Sequence, residues 1–181
     1  TWIVADARVD ARAQLVADLK EAGREASTDR PDVELILHAW HAWGEESTGR
    51  LLGDFAFAIW DSARRRFFCA RDHFGIKPFF YAHRGSTVVF GTSLACVRRH
   101  PAVSSALDDL AIADFLIFGH PQDKAATSFA DIRRLPPAHQ AAWTAEGTTQ
   151  RCYWTLPIDE PLYLRRREEY PERLEALLRD A

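Results

Sequence analysis

The stretch that most limits how this chain can fold is Asp54-Phe55-Ala56-Phe57-Ala58-Ile59-Trp60-Asp61. A polar turn at Ser62 to Arg65 follows it, and then Arg66-Phe67-Phe68-Cys69-Ala70. Both runs are short, aromatic-rich and apolar at odd and even positions alike, which predicts a β-hairpin with both faces covered. A sheet with one wet face would alternate apolar and polar residues instead. The hairpin must therefore sit between two layers, with a helix or a second sheet above the sheet it belongs to.

The flanking segments supply those layers. Thr1 to Ala5 reads as a short strand ending near Asp6. Asp10 can cap a helix that carries Leu15, Val16 and Leu19 on one face and stops at Gly23. After a polar loop, Glu25 to Arg30, Pro31 opens a second helix. Its apolar arc is Leu35, Ile36, Ala39, Trp40 and Trp43, and Gly44 closes it. Pro78-Phe79-Phe80-Tyr81 and Thr87-Val88-Val89-Phe90 predict another hairpin about Arg84-Gly85-Ser86. Helices are expected near Leu94 to Arg99 and from about Asp108 to Phe118. Two short strands, near Gln140 to Thr144 and Gln150 to Trp154, flank a turn at Glu146-Gly147. After Pro157 the composition shifts to charge and proline, as in a linker. Glu168 to Ala181 then predicts an amphipathic helix with Tyr170, Leu174, Leu177 and Leu178 on one face. The sum is an α+β fold of antiparallel hairpins covered by helices.

Composition narrows the function. Apolar residues make up 47% and charged residues 27%, the balance of a globular protein, and the formal net charge of -3 disfavours an electrostatic nucleic-acid binder. No apolar run approaches the roughly 20 residues that span a bilayer. Cys69, Cys96 and Cys152 are odd in number and in no CxxC pattern, so neither a zinc site nor a disulfide framework is expected and a reducing cytoplasm is the expected home. Glu34, His38 and His41 share one helical arc, but no fourth ligand is suggested and a solvated face explains them. The runs Arg64-Arg65-Arg66 and Arg165-Arg166-Arg167 lie beside acids and read as turn and linker charges. The six Trp are mostly at core spacing, so packing is their default reading.

Several blocks together resemble a known family. The hairpin strand from Phe55 to Asp61, then Arg71-Asp72-His73-Phe74-Gly75-Ile76-Lys77-Pro78-Phe79-Phe80-Tyr81, is similar to the core of class II glutamine amidotransferase domains of asparagine synthetases. Phe90-Gly91-Thr92-Ser93, Arg134-Leu135-Pro136-Pro137-Ala138-His139 and Cys152-Tyr153-Trp154 follow in the family's order. Read without the family, Gly75 suits a positive-φ turn, and Arg71 and Asp72 are charges that must pair or bond backbone at the end of a buried strand. That makes the block first a structural turn.

The resemblance implies an N-terminal-nucleophile hydrolase-like sandwich, two antiparallel sheets between helical layers, with residues 1–156 as a partial amidotransferase-like domain lacking its first strands. It implies that residues 157–181 are a linker and first helix leading toward an ATP-pyrophosphatase synthetase domain, which would use ATP and Mg2+. Family members hydrolyse glutamine with an N-terminal Cys, and the ammonia aminates an adenylylated aspartate in the second domain. Thr1 falls mid-domain in this comparison, so no catalytic residue is expected in the chain itself, the nucleophilic Cys being expected upstream. The implied partners are the synthetase domain and a small-molecule or peptide substrate. At the uncovered sheet edge, either a second copy in a homodimer or further residues of the parent are expected.

The pocket residues depart from the family. Where it has Asn-Gly-Glu-Ile-Tyr-Asn, this chain has Asp6-Ala7-Arg8-Val9-Asp10-Ala11. Asp6 and Ala7 stand at the oxyanion-hole positions, Arg8 at an acid that holds the glutamine ammonium, and Asp32 matches the second such acid. Ionised Asp6 offers acceptors where donors are needed, and Arg8 repels an ammonium. A weakened glutaminase pocket and plain substitution at a strand end are the two readings of these residues. The corresponding functions are an amidotransferase domain of an ATP-dependent amide-forming enzyme, a non-catalytic scaffold in an intramolecular amide-forming cyclase of lasso-peptide or β-lactam type, and a free-standing interaction module.

Overall fold

The computed structural model describes residues 1–158 and 161–180; Ala181, the last residue of the helix expected from Glu168, and part of the expected linker lie outside them. Strands, numbered in chain order, are β1 (Trp2–Val9), β2 (Gly53–Asp61), β3 (Arg66–Arg71), β4 (Phe80–Arg84), β5 (Thr87–Gly91), β6 (Arg133–Arg134), β7 (His139–Trp143) and β8 (Thr148–Cys152). Helices are α1 (Arg12–Glu21), α2 (Asp32–Trp43), α3 (Leu94–Arg98), α4 (Asp109–Phe118) and α5 (Glu169–Asp180), with a 3-10 helix at Gly44–Arg50. The strands form two antiparallel sheets, one of order β1-β2-β3-β7-β8 and one of order β5-β4-β6.

The two-faced hairpin sets the layering. From one face Phe55, Phe57 and Ile59 of β2, with Phe68 and Ala70 of β3, pack against Leu15, Val16 and Leu19 of α1 and Leu35, Ile36, Ala39 and Trp40 of α2. From the other face the small side chains Ala56, Ala58, Cys69 and Ala141 meet Phe79, Phe90 and Leu135 from the second sheet's side. Small residues on one sheet let large ones on the other approach closely. The far face of the second sheet buries Ala82 with Val97 of α3, Val103 and Ile132. The order is helix, sheet, sheet, helix, the expected sandwich. Fully burying Phe55, Phe57 and Phe68 contributes roughly 1.5–3 kcal/mol each. α4 stands apart, since Leu110, Phe115, Leu116 and Ile117 are exposed and Ala111 is its one buried residue.

Most elements fall where the sequence places them, and the exceptions have physical causes. β1 does not end near Asp6 but runs to Val9, because Ala5, Ala7 and Val9 continue the alternation toward the helical layer while Asp6 and Arg8 lie on the opposite face. Asp10 does not cap α1. Ala11 holds that position in a left-handed conformation (φ 47) with no side-chain cap, and the Asp10 carboxylate instead accepts from Arg8. β8 begins at Thr148, two residues before the predicted strand, and ends at Cys152, where the chain turns to insert Tyr153 against the helical core. Gly44 ends α2 but leads straight into the 3-10 helix, which buries Ser47 and Thr48. One glycine is obligatory for register: Gly53 has φ 127, and a Cβ there would lie 2.1 Å from the Arg8 carbonyl oxygen on the paired strand.

Candidate functional site

β1 sorts the candidate residues by parity. Asp6 and Arg8 pair across the ladder with Ala56 and Asp54, so they share the face that looks toward the second sheet. Ala7 points the other way and packs against the helical layer. Asp6 lines an open cleft of about 230 Å3 between the sheets, together with Val4, Ala56, Ala58, Phe79, Phe90 and Thr92. It is the one charged residue in that lining. Its carboxylate is 2.7 Å from Lys77 Nζ, an ion pair that spans the gap from β1 to the turn before β4. Arg8 is held at 3.0 Å by Asp10 and at 3.4 Å by its cross-strand partner Asp54. The hydrogen bond and charge of Asp10, followed by the charge of Asp54, raise the Arg8 pKa above its ordinary value.

Asp32 is engaged elsewhere. It is the first residue of α2, where a carboxylate favourably meets the helix dipole. Its Oδ1 accepts from Arg12 of α1, which also donates to the Thr28 carbonyl at 2.8 Å and to that of Arg30. The four positions thus divide: Asp6 and Arg8 face the second sheet, while Ala7 and the Arg12-bound Asp32 lie on the helical side.

The turn that presents Lys77 is built entirely on backbone contacts. Asp72 is buried, and its carboxylate accepts from the amides of Phe74 at 3.2 Å, Ile76 at 2.9 Å and Lys77 at 2.9 Å. Arg71, also buried, donates to the carbonyls of Lys77 at 2.6 Å, Leu135 at 2.8 Å and Gly75 at 2.5 Å. Both charges bond backbone groups, one of the two arrangements expected of them at the end of a buried strand. Gly75 has φ 69, and a Cβ there would lie 2.8 Å from Pro137 Cγ. Tyr153 closes the assembly by donating to the Arg71 carbonyl at 2.7 Å. His73 sits edge-on to Phe55, Tyr153 and Trp154, and burial there lowers its pKa against the opposing pull of Asp72.

The residues that sequence reasoning missed are the partners. Lys77 stands inside a quoted motif and Asp54 at the start of the key hairpin, yet only the ladder register shows whom they touch. Glu34 of the polar α2 arc pairs with Arg30 at 3.0 Å. Among the described residues, no group of three or more His, Cys, Asp or Glu is placed to hold a metal ion, and no helix is long and apolar enough to cross a membrane. Cys69 lies in the inter-sheet core, where burial pushes its thiol well above the ordinary range.

Residues 1–154 match the family model described as "Glutamine amidotransferase domain". The chain is 33% identical to asparagine synthetase [glutamine-hydrolyzing] 3 of Bacillus subtilis, over 71% of this chain and 21% of that protein. It is 50% identical to a putative asparagine synthetase [glutamine-hydrolyzing] of Mycobacterium tuberculosis, over 38% of this chain and 10% of that protein. The chain thus spans about a fifth or less of the length of these curated relatives. Among solved structures it is similar to the glutamine phosphoribosylpyrophosphate amidotransferase of B. subtilis, with a TM-score of 0.55 and 17% identity over 84% of this chain and 29% of that chain. That likeness is one of fold. With its αββα layers, its RDHFGIKP turn and a family match over most of its length, the chain belongs to the class II glutamine amidotransferase domain family.

Proposed function

We propose that this chain is the amidotransferase-type domain of an asparagine-synthetase-like, ATP-dependent amide-forming enzyme whose glutaminase chemistry is weakened. Residues 1–156 would form the domain and residues 157–181 the linker and first helix toward a synthetase domain, where ATP and Mg2+ would act. The observation that carries the reading is the Asp6–Lys77 ion pair at 2.7 Å, in the cleft between the sheets. At that position the family resemblance calls for a donor to a developing oxyanion. A carboxylate already engaged by an ammonium supplies acceptor lone pairs and negative charge instead. Losing one oxyanion donor costs on the order of 10²–10³ in rate, and replacing it by an anion costs more. Arg8, neutralised by Asp10 and Asp54, would not draw in a substrate ammonium as an acid does. In the family reaction glutamine supplies nitrogen and aspartate accepts it; here both substrates are part of the proposal.

The same observation favours a second reading, a scaffold domain in an intramolecular amide-forming cyclase. Asp6 and Arg8 are both anchored in ion pairs, so their charges belong to the strand's own structure rather than to an open glutamine site. The test is glutamate release from glutamine by the full-length protein, compared with the triple variant Asp6→Asn, Ala7→Gly and Arg8→Glu. A gain of more than about tenfold in the variant supports a disabled pocket, and rates within about tenfold of each other sink it. An N-terminal Cys in the full-length protein would favour the amidotransferase reading, and another residue there the scaffold.

A further inference from the structure

Four aromatic residues stand in one row across four neighbouring strands. Trp2 of β1 is the ladder partner of Trp60 of β2, Trp60 of Phe67 of β3, and Phe67 of Trp143 of β7. Cross-strand partners share a face, and this face is the one toward the second sheet. The row grades from buried to open: Trp143 is 6% exposed, Trp60 42% and Trp2 76%. Packing explains the buried end, where Phe67 and Tyr81 contact Trp143 with ring centroids at 5.4 and 5.2 Å. It leaves Trp60 half-exposed.

Along the row's three inner members lies a cleft of about 550 Å3, within the range of small-molecule sites, roughly 300–1,000 Å3. Trp60, Phe67, Val88 and Trp143 wall it, and Arg65 and His83 stand at its rim. No carboxylate lines it. The three consecutive arginines of the β2–β3 turn and β3 divide their work. Arg64 reaches Asp61 at 3.0 Å and Arg66 pairs with Glu45, whereas Arg65 forms no ion pair among the described residues. Arg65 is also one of three non-glycine residues in a left-handed conformation among the described residues, with φ 49. Glycine or asparagine is the less strained choice there, so the guanidinium is kept at a conformational cost. The cleft shares no lining residue with the one at Asp6, although the two adjoin where Phe67 of this cleft packs on Phe90 of the other, ring centroids 4.9 Å apart.

We infer that this cleft is a second ligand site, for a small planar aromatic anion, the ring lying against Trp60 and Phe67 and the anionic group meeting Arg65. An aromatic wall favours a flat π-system over an aliphatic one of equal size. A free guanidinium takes a carboxylate through paired N–H donors, which a neutral alcohol cannot exploit.

The test is calorimetric titration of the full-length protein with 2-naphthoate. Cyclohexanecarboxylate, an anion without the ring, and 2-naphthylmethanol, the ring without the anion, serve as controls. The informative variant is Arg65→Gly. Glycine relieves the positive φ, so the fold is kept or slightly stabilised while the guanidinium is lost. Naphthoate should bind at least about tenfold more tightly than either control, and Arg65→Gly should weaken it at least about tenfold with an unchanged or higher melting temperature. A smaller margin in any of these comparisons, or no naphthoate binding at all, overturns the inference. Trp60→Leu gives an independent reading of the wall, with the same threshold.

Discussion

Removing the Asp72 carboxylate should be among the most damaging single changes to this fold. The group is 1% exposed and accepts three backbone amides, from Phe74, Ile76 and Lys77. Hydrogen bonds to a charged group contribute about 1.5–3 kcal/mol each, and an orphaned buried donor costs about 1–3 kcal/mol. The three are not additive, because Phe74 and Ile76 are exposed residues whose amides water can partly serve once the turn relaxes. Asp72→Ala should therefore lower the unfolding free energy by about 3–5 kcal/mol. Asp72→Asn keeps an acceptor for the Phe74 and Ile76 amides but sets an NH2 against the Lys77 amide, so its loss should be about 1.5–3 kcal/mol. Urea unfolding followed by tryptophan fluorescence measures both, provided the m-values agree. An alanine variant within about 1 kcal/mol of the parent, or an asparagine variant worse than alanine, would refute the view that this carboxylate organises the turn.

Gly53→Ala should cost more than about 3 kcal/mol, since its Cβ would meet the Arg8 carbonyl at 2.1 Å and φ is 127; thermal unfolding within a few degrees of the parent would contradict this. Stability should also fall in mild acid. Burial lowers the His73 pKa from its ordinary value of 6.5, so the unfolded chain binds that proton more readily, and the stabilisation present above about pH 6.5 is lost as pH falls through the folded value. His73→Phe should flatten the decline in urea midpoint between about pH 6.5 and 5, although His41, shifted in the same direction by burial and Arg24, will leave part of it. Identical pH slopes in the two proteins would remove His73 from the account.

The fold was legible wherever apolar spacing carried the signal. The both-faces pattern of Phe55 to Trp60 fixed a strand between two layers, and the arc Leu35 to Trp40 with its flanking proline and glycine located α2. The sequence failed where polarity had two meanings. Asp6 and Arg8 at alternate positions are what a strand facing a cleft looks like, but next to Asp10 they read as the strand's end. The segment Gly44–Arg50 has no apolar period, yet it buries Thr48 against Gln140, 92 positions away in the chain. Such a contact leaves no local trace. β6 is two residues long and exists through its pairing with Phe80 and Tyr81.

The candidate site shows the same division more sharply. The most recognisable block, Arg71 to Tyr81, concentrates its buried charges on carbonyls and amides of its own neighbourhood, so its strength as a motif is a statement about folding. Its one outward charge, Lys77, reaches Asp6, and there folding and chemistry meet. Asparagine in place of Asp6 would give that ammonium a neutral neighbour and leave its charge facing the cleft. Aspartate instead balances it, and the cleft presents a closed pair amid Val4, Ala58, Phe79 and Phe90. A single side chain on β1 can thus change what the cleft offers while every contact of the Arg71 to Lys77 turn stays in place.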